Sequence, residues 1–568
     1  MIRKLFIPVL LFGAMNIYCQ ANPSVNNTNI EKEFFNIVLG RPTDKSITAS
    51  LLPSKNMSIY CEYKKSTESI YSKTTAQNVM KDVPYEIVLT NLTPNSKYNY
   101  HIVYGDTPTS GYIIGDEHSF QTQRAKGSTF SFTLEADPHP YDKKGSHTLW
   151  DICFNNQLND SPDFMIDLGD TFGDDHTPST TTSDDMKQLH LDNRSHFGIA
   201  AHSVPLFFCL GNHEGESGYY LLQTPPNNIG VYGTLWRKYY YPNPEPNDFY
   251  SGNTNLEQFG MGLPQNYYAW EWGDALFVVV DAYRGYTVNA KPRGWEWTLG
   301  QAQFNWLEQT LKNSSAKYKF VLTHHILGET RGGLAVAKNY EWGGYEANNT
   351  TYSFTANRPG WSMPIHQLMV KYGVNIFFQG HDHLYAKEEM DGIVYQEVPM
   401  PSDSTYIIGM TDNGSAYGGI KLDASGHLRV TVNPNEIKVD YVRAWLPKDE
   451  TSQHKNGEVA YSYSVLPKTT DVKIQEAVPT EYTLMQNYPN PFNPETVISY
   501  QLPQSGFVSL KVFDVLGREV ATLVDEYQNA GTYNSKFIAQ NYNVPSGVYF
   551  YRLNAGNFVQ TKKALLIK

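Results

Sequence analysis

Cysteine is scarce. The 568-residue chain has 4, and Cys19 belongs to a leader-like start. The other three, Cys61, Cys153 and Cys209, are too few and too widely spaced to frame a fold with disulfides. Cys209, inside the apolar run LFFCLG, is expected to be a buried thiol. Basic charge is also short, with 45 Lys and Arg against 57 Asp and Glu, a net charge of −12. That balance leaves no field to gather nucleic acid or anionic lipid. An anionic substrate must then meet local positive charge, which metal ions can supply. Long apolar runs are missing after the first residues, so no transmembrane span is expected. The start, MIRKLFIPVLLFGAMNIYCQANPS, places Arg3 and Lys4 before an apolar stretch from Leu5 to about Ala14. Cys19 and Ala21 then give a small-x-small pattern, so residues 1–21 are read as a secretory signal peptide. Lipid attachment at Cys19 fits less well, because Tyr18 is bulky where a small residue is wanted.

Aromatics are abundant at 14%, with 41 Tyr, which suits β-rich extracellular domains. The length calls for about three domains. Between 34 and 124, SITASLLP, MSIYCEYKK and YEIVLTNLTPNSKYNYHIVYG alternate apolar and polar residues between turn signals, the pattern of a small β-sandwich. LTPNSKYNYHIVY resembles the fibronectin type III signature, and the resemblance implies a tyrosine corner of Leu92, Pro94 and Tyr98. From 125 to 465, apolar strands alternate with helical stretches such as GQAQFNWLEQTLKNS, in which Phe304, Leu307 and Leu311 share a face. Two long Gly-, Pro- and aromatic-rich loops, 215–268 and 327–362, interrupt this region; loops of that length are usually functional. The polar stretch from about 446 to 478 reads as linker, the linker proper being placed at 466–479. A second β-sandwich is expected over 480–568.

The apolar strands of the middle region end in a consistent set of residues. EADPHPYD offers Asp137 and His139, DLGDTFGDD offers Asp170, and LGNHE offers Asn212. VLTHH offers His324, and QGHDH offers His381 and His383. Only ALFVVVDA ends without such a group. In open α/β sheets, ligands collect beyond the carboxyl ends of strands, so these distant stretches can converge. The i, i+2 spacing of Asp137/His139 and of His381/His383 puts each pair on one side of an extended chain. Carboxylate, amide and imidazole without thiolate suit Zn, Mn or Fe. Seven such groups exceed one site that must stay open to substrate; two ions sharing a carboxylate fit better.

The order D-x-H, GD, GNHE, H and GHxH resembles the calcineurin-like metallophosphoesterase superfamily, and the module before it makes the chain similar to purple acid phosphatases. The resemblance implies a four-layer α/β/β/α sandwich flanked by two β-sandwich domains, multidomain α/β plus all-β. It implies one metal on Asp137, His139, Asp170 and His383, and a second on Asp170, Asn212, His324 and His381, with Asp170 bridging. Purple acid phosphatases carry Tyr three residues after that aspartate; here the position is Gly173, and His139 stands where their first motif has no His. A colourless site is therefore expected. Two divalent cations lower the pKa of a bridging water, and the resulting hydroxide attacks phosphorus. His213 is placed to protonate the leaving alkoxide, with His325 assisting or only stacking in the cleft. Glu214 is expected to support a ligand rather than be one. Arg331 contacts a phosphate or is a solvated loop arginine, and Asp174 and Asp175 cap or hydrate their loop.

YPNPFNP, VFDVLGREV, PSGVYFYRL and KALLIK resemble the sorting domain of the type IX secretion system. That resemblance implies the type IX machinery as partner and export across the outer membrane of a two-membrane bacterium, to the cell surface or beyond. The reading as a whole is a secreted phosphomonoesterase with two metal ions, no organic cofactor and a small phosphate-ester substrate. A phosphodiesterase with the same site and a non-catalytic surface adhesin remain alternatives. The sequence sets no oligomeric state.

Overall fold

The computed structural model describes residues 34–106, 111–172, 177–286, 288–328, 331–408, 413–468, 481–504, 506–528, 531–542 and 544–567. The expected signal peptide and most of the linker lie outside these residues, as do Gly173, Asp174 and Asp175. The chain divides into two compact units, 1–468 and 469–568.

The first unit begins with a β-sandwich. A three-stranded sheet (Phe35–Gly40, Ile47–Pro53, Tyr85–Leu89) faces a larger one built on the antiparallel pair Met57–Lys65 and Lys97–Gly105. Alternating residues such as Leu51, Ile59, Cys61, Tyr100 and Ile102 fill the space between. The Tyr98 hydroxyl accepts a hydrogen bond from the Thr93 amide, 2.8 Å, and so closes the corner expected from the LTPNSKY segment.

Two sheets then stack face to face. In one, Phe130–Glu135, Phe164–Asp167 and Leu206–Phe208 run parallel, and Gly426–Val432, Ile437–Arg443 and Val459–Val465 extend it antiparallel. Val459–Val465 lies in the polar stretch read as linker; its strand character is masked in sequence by exposed, Tyr- and Ser-bearing positions at a sheet edge. The other sheet has eight strands, with Ala275–Val279, Tyr318–Leu322, Ile376–Gln379 and Ile393–Glu397 parallel at its centre. Phe132, Phe164, Phe277, Phe320, Phe378 and Trp270 pack between the sheets. Because both faces of these strands are buried, they read as continuous apolar runs rather than alternating ones.

Helices cover both outer faces, completing four layers. His147–Asp160 and Ser183–Ala201 place Trp150, Phe154 and Phe197 against Met165 and Phe208. Thr182 and Asp185 start the second of these helices with a reciprocal capping box. On the far side, Phe304, Leu307 and Leu311 of Gly300–Asn313 meet Leu276, Val278 and Val321, as their spacing predicts. The first long loop is not all loop. Ile229–Tyr240 is a helix capped by Asn228, whose side chain accepts from Val231 N at 2.9 Å.

The second unit is a β-sandwich of a three-stranded sheet (Thr483–Leu484, Glu495–Leu502, Gly531–Ile538) and a four-stranded sheet. The latter pairs Glu519–Gln528, Gly506–Phe513, Gly547–Ala555 and Phe558–Leu566 in that order. Val508, Leu510 and Val512 turn inward while their neighbours face out, the period-2 pattern of a half-buried strand. Among the described residues, no helix is long and apolar enough to cross a membrane.

Candidate metal centre

Five parallel strands end at one place. Asp137 follows Phe130–Glu135, Asp170 follows Phe164–Asp167, Asn212 follows Leu206–Phe208, His324 follows Tyr318–Leu322, and His381 follows Ile376–Gln379. Asp137, His139 and His383 form one cluster of ligand atoms, Asp170, His324 and His381 a second, and His139, Asp170 and His213 a third, each within 4.8 Å. Asp170 is common to two of them, and Asn212 follows Gly211, which itself touches Asp170. Thus the six carboxylate and imidazole ligands from the sequence are brought together, and His213 stands among them.

The backbone at these positions is unusual. Asp137, His139, Asp170, His381 and His383 all have positive φ, from 32° to 78°. Each such residue costs on the order of 1–3 kcal/mol and persists only where its surroundings enforce it. The i, i+2 pairs therefore converge through left-handed turns, not through the extended chain expected from their spacing. Glycine makes room for them. A Cβ at Gly380 would come within 2.6 Å of Asp137 Oδ2, and one at Gly211 would collide with the Asp170 carboxylate.

Distances within the cluster favour a cation. His324 Nε2 lies 3.1 Å from Asp170 Oδ2, 3.7 Å from Asp137 Oδ1 and 3.2 Å from His381 Nδ1. His324 Nδ1 donates to the Leu168 carbonyl, 2.9 Å, which fixes its tautomer and leaves Nε2 as the inward atom. His383 Nε2 is 3.4 Å from Asp137 Oδ1, and His139 Nε2 is 3.7 Å from Asp170 Oδ2. Asn212 Oδ1, Asp137 Oδ1 and His139 Nε2 are buried atoms with no hydrogen-bond partner among the described residues. Native interiors rarely leave polar atoms in that state, so a donor set of this kind, aimed at one space, fits metal ions.

The electrostatics point the same way. Burial opposes ionisation of Asp170, but the His324, His213 and His139 rings hold its carboxyl well below the usual range. Burial likewise opposes ionisation of Asp137, and His324 and His383 overcome it. Burial disfavours the His324 cation, yet Asp170 and Asp137 raise its pKa to about 10. His381 is held well below its ordinary value by burial and by the His325 and His324 rings, so its ring is neutral and available as a donor. Burial also lowers His325 to about 4. His325 packs 4.5 Å from the His381 ring, and neither of its ring nitrogens reaches a hydrogen-bond partner among the described residues.

Supporting groups surround the ligands. Glu214 touches backbone, accepting from Gly211, Asp170, Thr171 and Phe172 amides, the Asp170 bond being 3.1 Å and the Thr171 bond 2.6 Å. It stitches the turn carrying Asp170 to the turn carrying Asn212. Arg331 keeps 35% of its side chain exposed while its Nη1 donates to the His381 carbonyl, 2.6 Å, and to Asp382, 2.9 Å. Two residues near the cluster escaped the sequence reading. Asp382, fully buried between two histidines, looked like loop polarity. Tyr283 follows the one strand judged free of ligands, yet its ring lies 5.9 Å from that of His324 and its buried hydroxyl has no partner among the described residues.

A four-layer α/β/β/α sandwich with an Asp/His/Asn cluster at its strand ends defines a metallophosphoesterase. The calcineurin-like phosphoesterase family model matches residues 112–385, and a secretion system C-terminal sorting domain model matches residues 486–568. The chain therefore carries a calcineurin-like phosphoesterase domain, which supports phosphoester hydrolysis with divalent metal ions, and a sorting domain, which indicates export across the outer membrane. Purple acid phosphatase PPD1 from yellow lupin (Lupinus luteus) seeds is similar in structure, with a TM-score of 0.52 at 15% identity over 76% of this chain and 74% of that one. PhoD is similar with a TM-score of 0.54 at 14% identity, over 76% of this chain and 90% of that one. At these identities the likeness is one of fold. No curated protein sequence matches the chain.

Proposed function

We propose that the protein is an exported phosphatase that hydrolyses phosphomonoesters at a centre of two metal ions. Asp137, His139, Asp170 and His383 would hold one ion, and Asp170, Asn212, His324 and His381 the other. The observation that carries this reading is the convergence of these residues, five of them at positive φ, with Asp137 Oδ1, His139 Nε2 and Asn212 Oδ1 buried and unpartnered among the described residues. Bound there, two ions of Zn, Mn or Fe supply an ionised water near neutral pH and positive charge for the phosphoryl oxygens.

The protein's own groups do the rest. Asp137 and His324 are sealed from solvent, whereas the His139 and His213 side chains are 10% and 22% exposed. Substrate thus enters on the His139–His213 side, where the two rings stand 5.1 Å apart. That more exposed side is taken as the mouth of the site. The His213 amide donates to Asp170 Oδ1, 2.8 Å, and its Nε2 lies 3.8 Å from Asp170 Oδ2, so the ring is held at the mouth. A leaving alkoxide departing that way receives its proton from His213. His325, neutral and buried, packs behind His381.

The test is hydrolysis of an aryl phosphate and a bis-aryl phosphate by protein loaded with Zn, Mn or Fe. Monoester turnover well above diester turnover is expected. The reverse preference makes the protein a phosphodiesterase, and no turnover by folded, metal-loaded protein leaves the adhesin reading.

A further inference from the structure

We propose that Asp382 is a positioning residue: it fixes the His381 and His383 rings by tying their loop to two other loops of the cleft. The inference rests on the two-metal reading above and concerns how that centre is held.

Asp382 is fully buried, and its carboxylate accepts hydrogen bonds from segments other than the one carrying His381 and His383. Oδ1 accepts from Arg331 Nη1, 2.9 Å. Oδ2 accepts from the Gly332 amide, 2.8 Å, and from the Tyr417 hydroxyl, 2.6 Å. Its own amide donates to Glu397 Oε1, 3.0 Å. Four segments therefore meet at one residue. Arg331 and Gly332 come from the loop after Tyr318–Leu322, and Tyr417 from the stretch before Ile420–Leu422. Glu397 ends a central strand, and Gln379, which ends its neighbour, donates to Glu397 Oε2 at 2.7 Å and reaches Tyr417 Oη at 3.2 Å. Arg331 closes the set by donating to the His381 carbonyl as well.

The reason for such bracing lies in the backbone. His381 and His383, on either side of Asp382, both hold left-handed φ, 78° and 60°. Two histidines in that conformation have a standing tendency to relax, and each relaxation would swing a ring away from its ion. Relaxation of the turn would drag the Asp382 carboxylate off three donors and its amide off Glu397. The residue type matters. Both carboxylate oxygens face donors, so an amide in either orientation points an N–H₂ at Arg331 or at the Gly332 amide and Tyr417. Asparagine is nearly the same size, so it isolates the bracing from the packing.

The experiment compares the full chain with Asp382→Asn, Arg331→Met and Tyr417→Phe. Three quantities are read: ions per chain, the rate of ion loss to a coloured chelator, and activity titrated against added metal. Asp382→Asn is expected to lose ions about 10–100-fold faster and to need correspondingly more metal for half-maximal activity, as for other groups that orient metal ligands. Its kcat should return toward the parent value at saturating metal, and its thermal midpoint without metal should stay close to the parent's. Arg331→Met and Tyr417→Phe should shift ion loss in the same direction by less, and they serve if Asp382→Asn does not fold. Parent-like ion loss in all folded variants overturns the inference while leaving the metal centre intact. So does a fall in metal-free stability with an unchanged metal titration. A parent chain that binds no ions removes the centre itself, and the bracing with it.

Discussion

His213 reaches the centre from the turn after Leu206–Phe208, close enough to Asp170 to be mistaken for a ligand. Exposure grades the two roles: the proposed ligand side chains Asp137, Asp170 and His324 are at most 1% exposed and His139 is 10% exposed, against 22% for His213. His213→Ala should keep both ions and lose roughly two to four orders of magnitude in kcat, the usual worth of a general acid. Ion counting and steady-state rates on the same sample check this; loss of an ion would make His213 a ligand. A second histidine carries a pH signature remote from the ligands. His190 is fully buried, stacks 4.5 Å from the Phe172 ring, and donates from Nδ1 to the Met186 carbonyl. Burial lowers its pKa to about 4; Glu216 opposes that shift and Arg237 adds to it. The folded state therefore binds the proton more weakly than the unfolded chain, whose His titrates near 6.5. Stability from this group is complete above about 6.5 and falls as pH drops toward about 4, by roughly 3 kcal/mol in all. Urea unfolding of metal-free protein should show that slope, and His190→Gln should flatten it. At this scale the ligands were legible because His and Asp at strand ends have few structural uses. Asp382 was not, since a carboxylate that braces its neighbours has the same sequence appearance as one that hydrates a loop.

The helix Ile229–Tyr240 shows what element-level reading lost. Its buried face includes Gly230, Gly233, Thr234 and Arg237, so apolar periodicity could not reveal it. The buried arginine is explained by Glu216, just after the Asn212–His213–Glu214 turn. Glu216 accepts from Arg237 Nε at 2.6 Å, Arg284 Nη1 at 3.0 Å and Thr234 Oγ1 at 2.8 Å. Arg284 also grips Glu257, 2.8 Å from Nε to Oε1. Burial resists ionisation of Glu216, but Arg237 and Arg284 keep its carboxyl below the ordinary value. The network pins the 215–268 segment beside the site. Glu216→Ala would leave the buried Arg237 guanidinium without its carboxylate, while Arg284 keeps Glu257, and is expected to cost on the order of 3–5 kcal/mol. Denaturant midpoints measure this; a loss below about 1 kcal/mol would mean water had replaced the pairing. Strands and amphipathic helices, by contrast, announced themselves: Phe132 and Phe320 lie in apolar runs bounded by polar ends, and Leu307 falls at helical spacing with Phe304 and Leu311.

On the scale of the whole molecule, hydrolysis and export are assigned to different cores. The ligands and both stacked sheets belong to residues up to 468, while Leu510, Tyr551 and Leu553 build a separate core in the sorting unit. On the proposed two-ion reading, metal ions bind only the folded form of the first unit, so they should raise its melting transition alone. At a free-ion concentration 100 times Kd, each ion adds about 2.7 kcal/mol. For a unit of this size that is roughly 3 °C per ion. Calorimetry of the full chain should therefore show two transitions, the metal-sensitive one unchanged in a chain ending at Lys468. That shorter chain should hydrolyse aryl phosphate within about twofold of the full-length rate, because none of its ligands or bracing groups lies beyond 468, yet remain inside an expressing two-membrane host. A truncated chain that still reaches the medium would move the export signal elsewhere. One that folds and binds both ions but no longer turns over would show that the sorting unit takes part in catalysis.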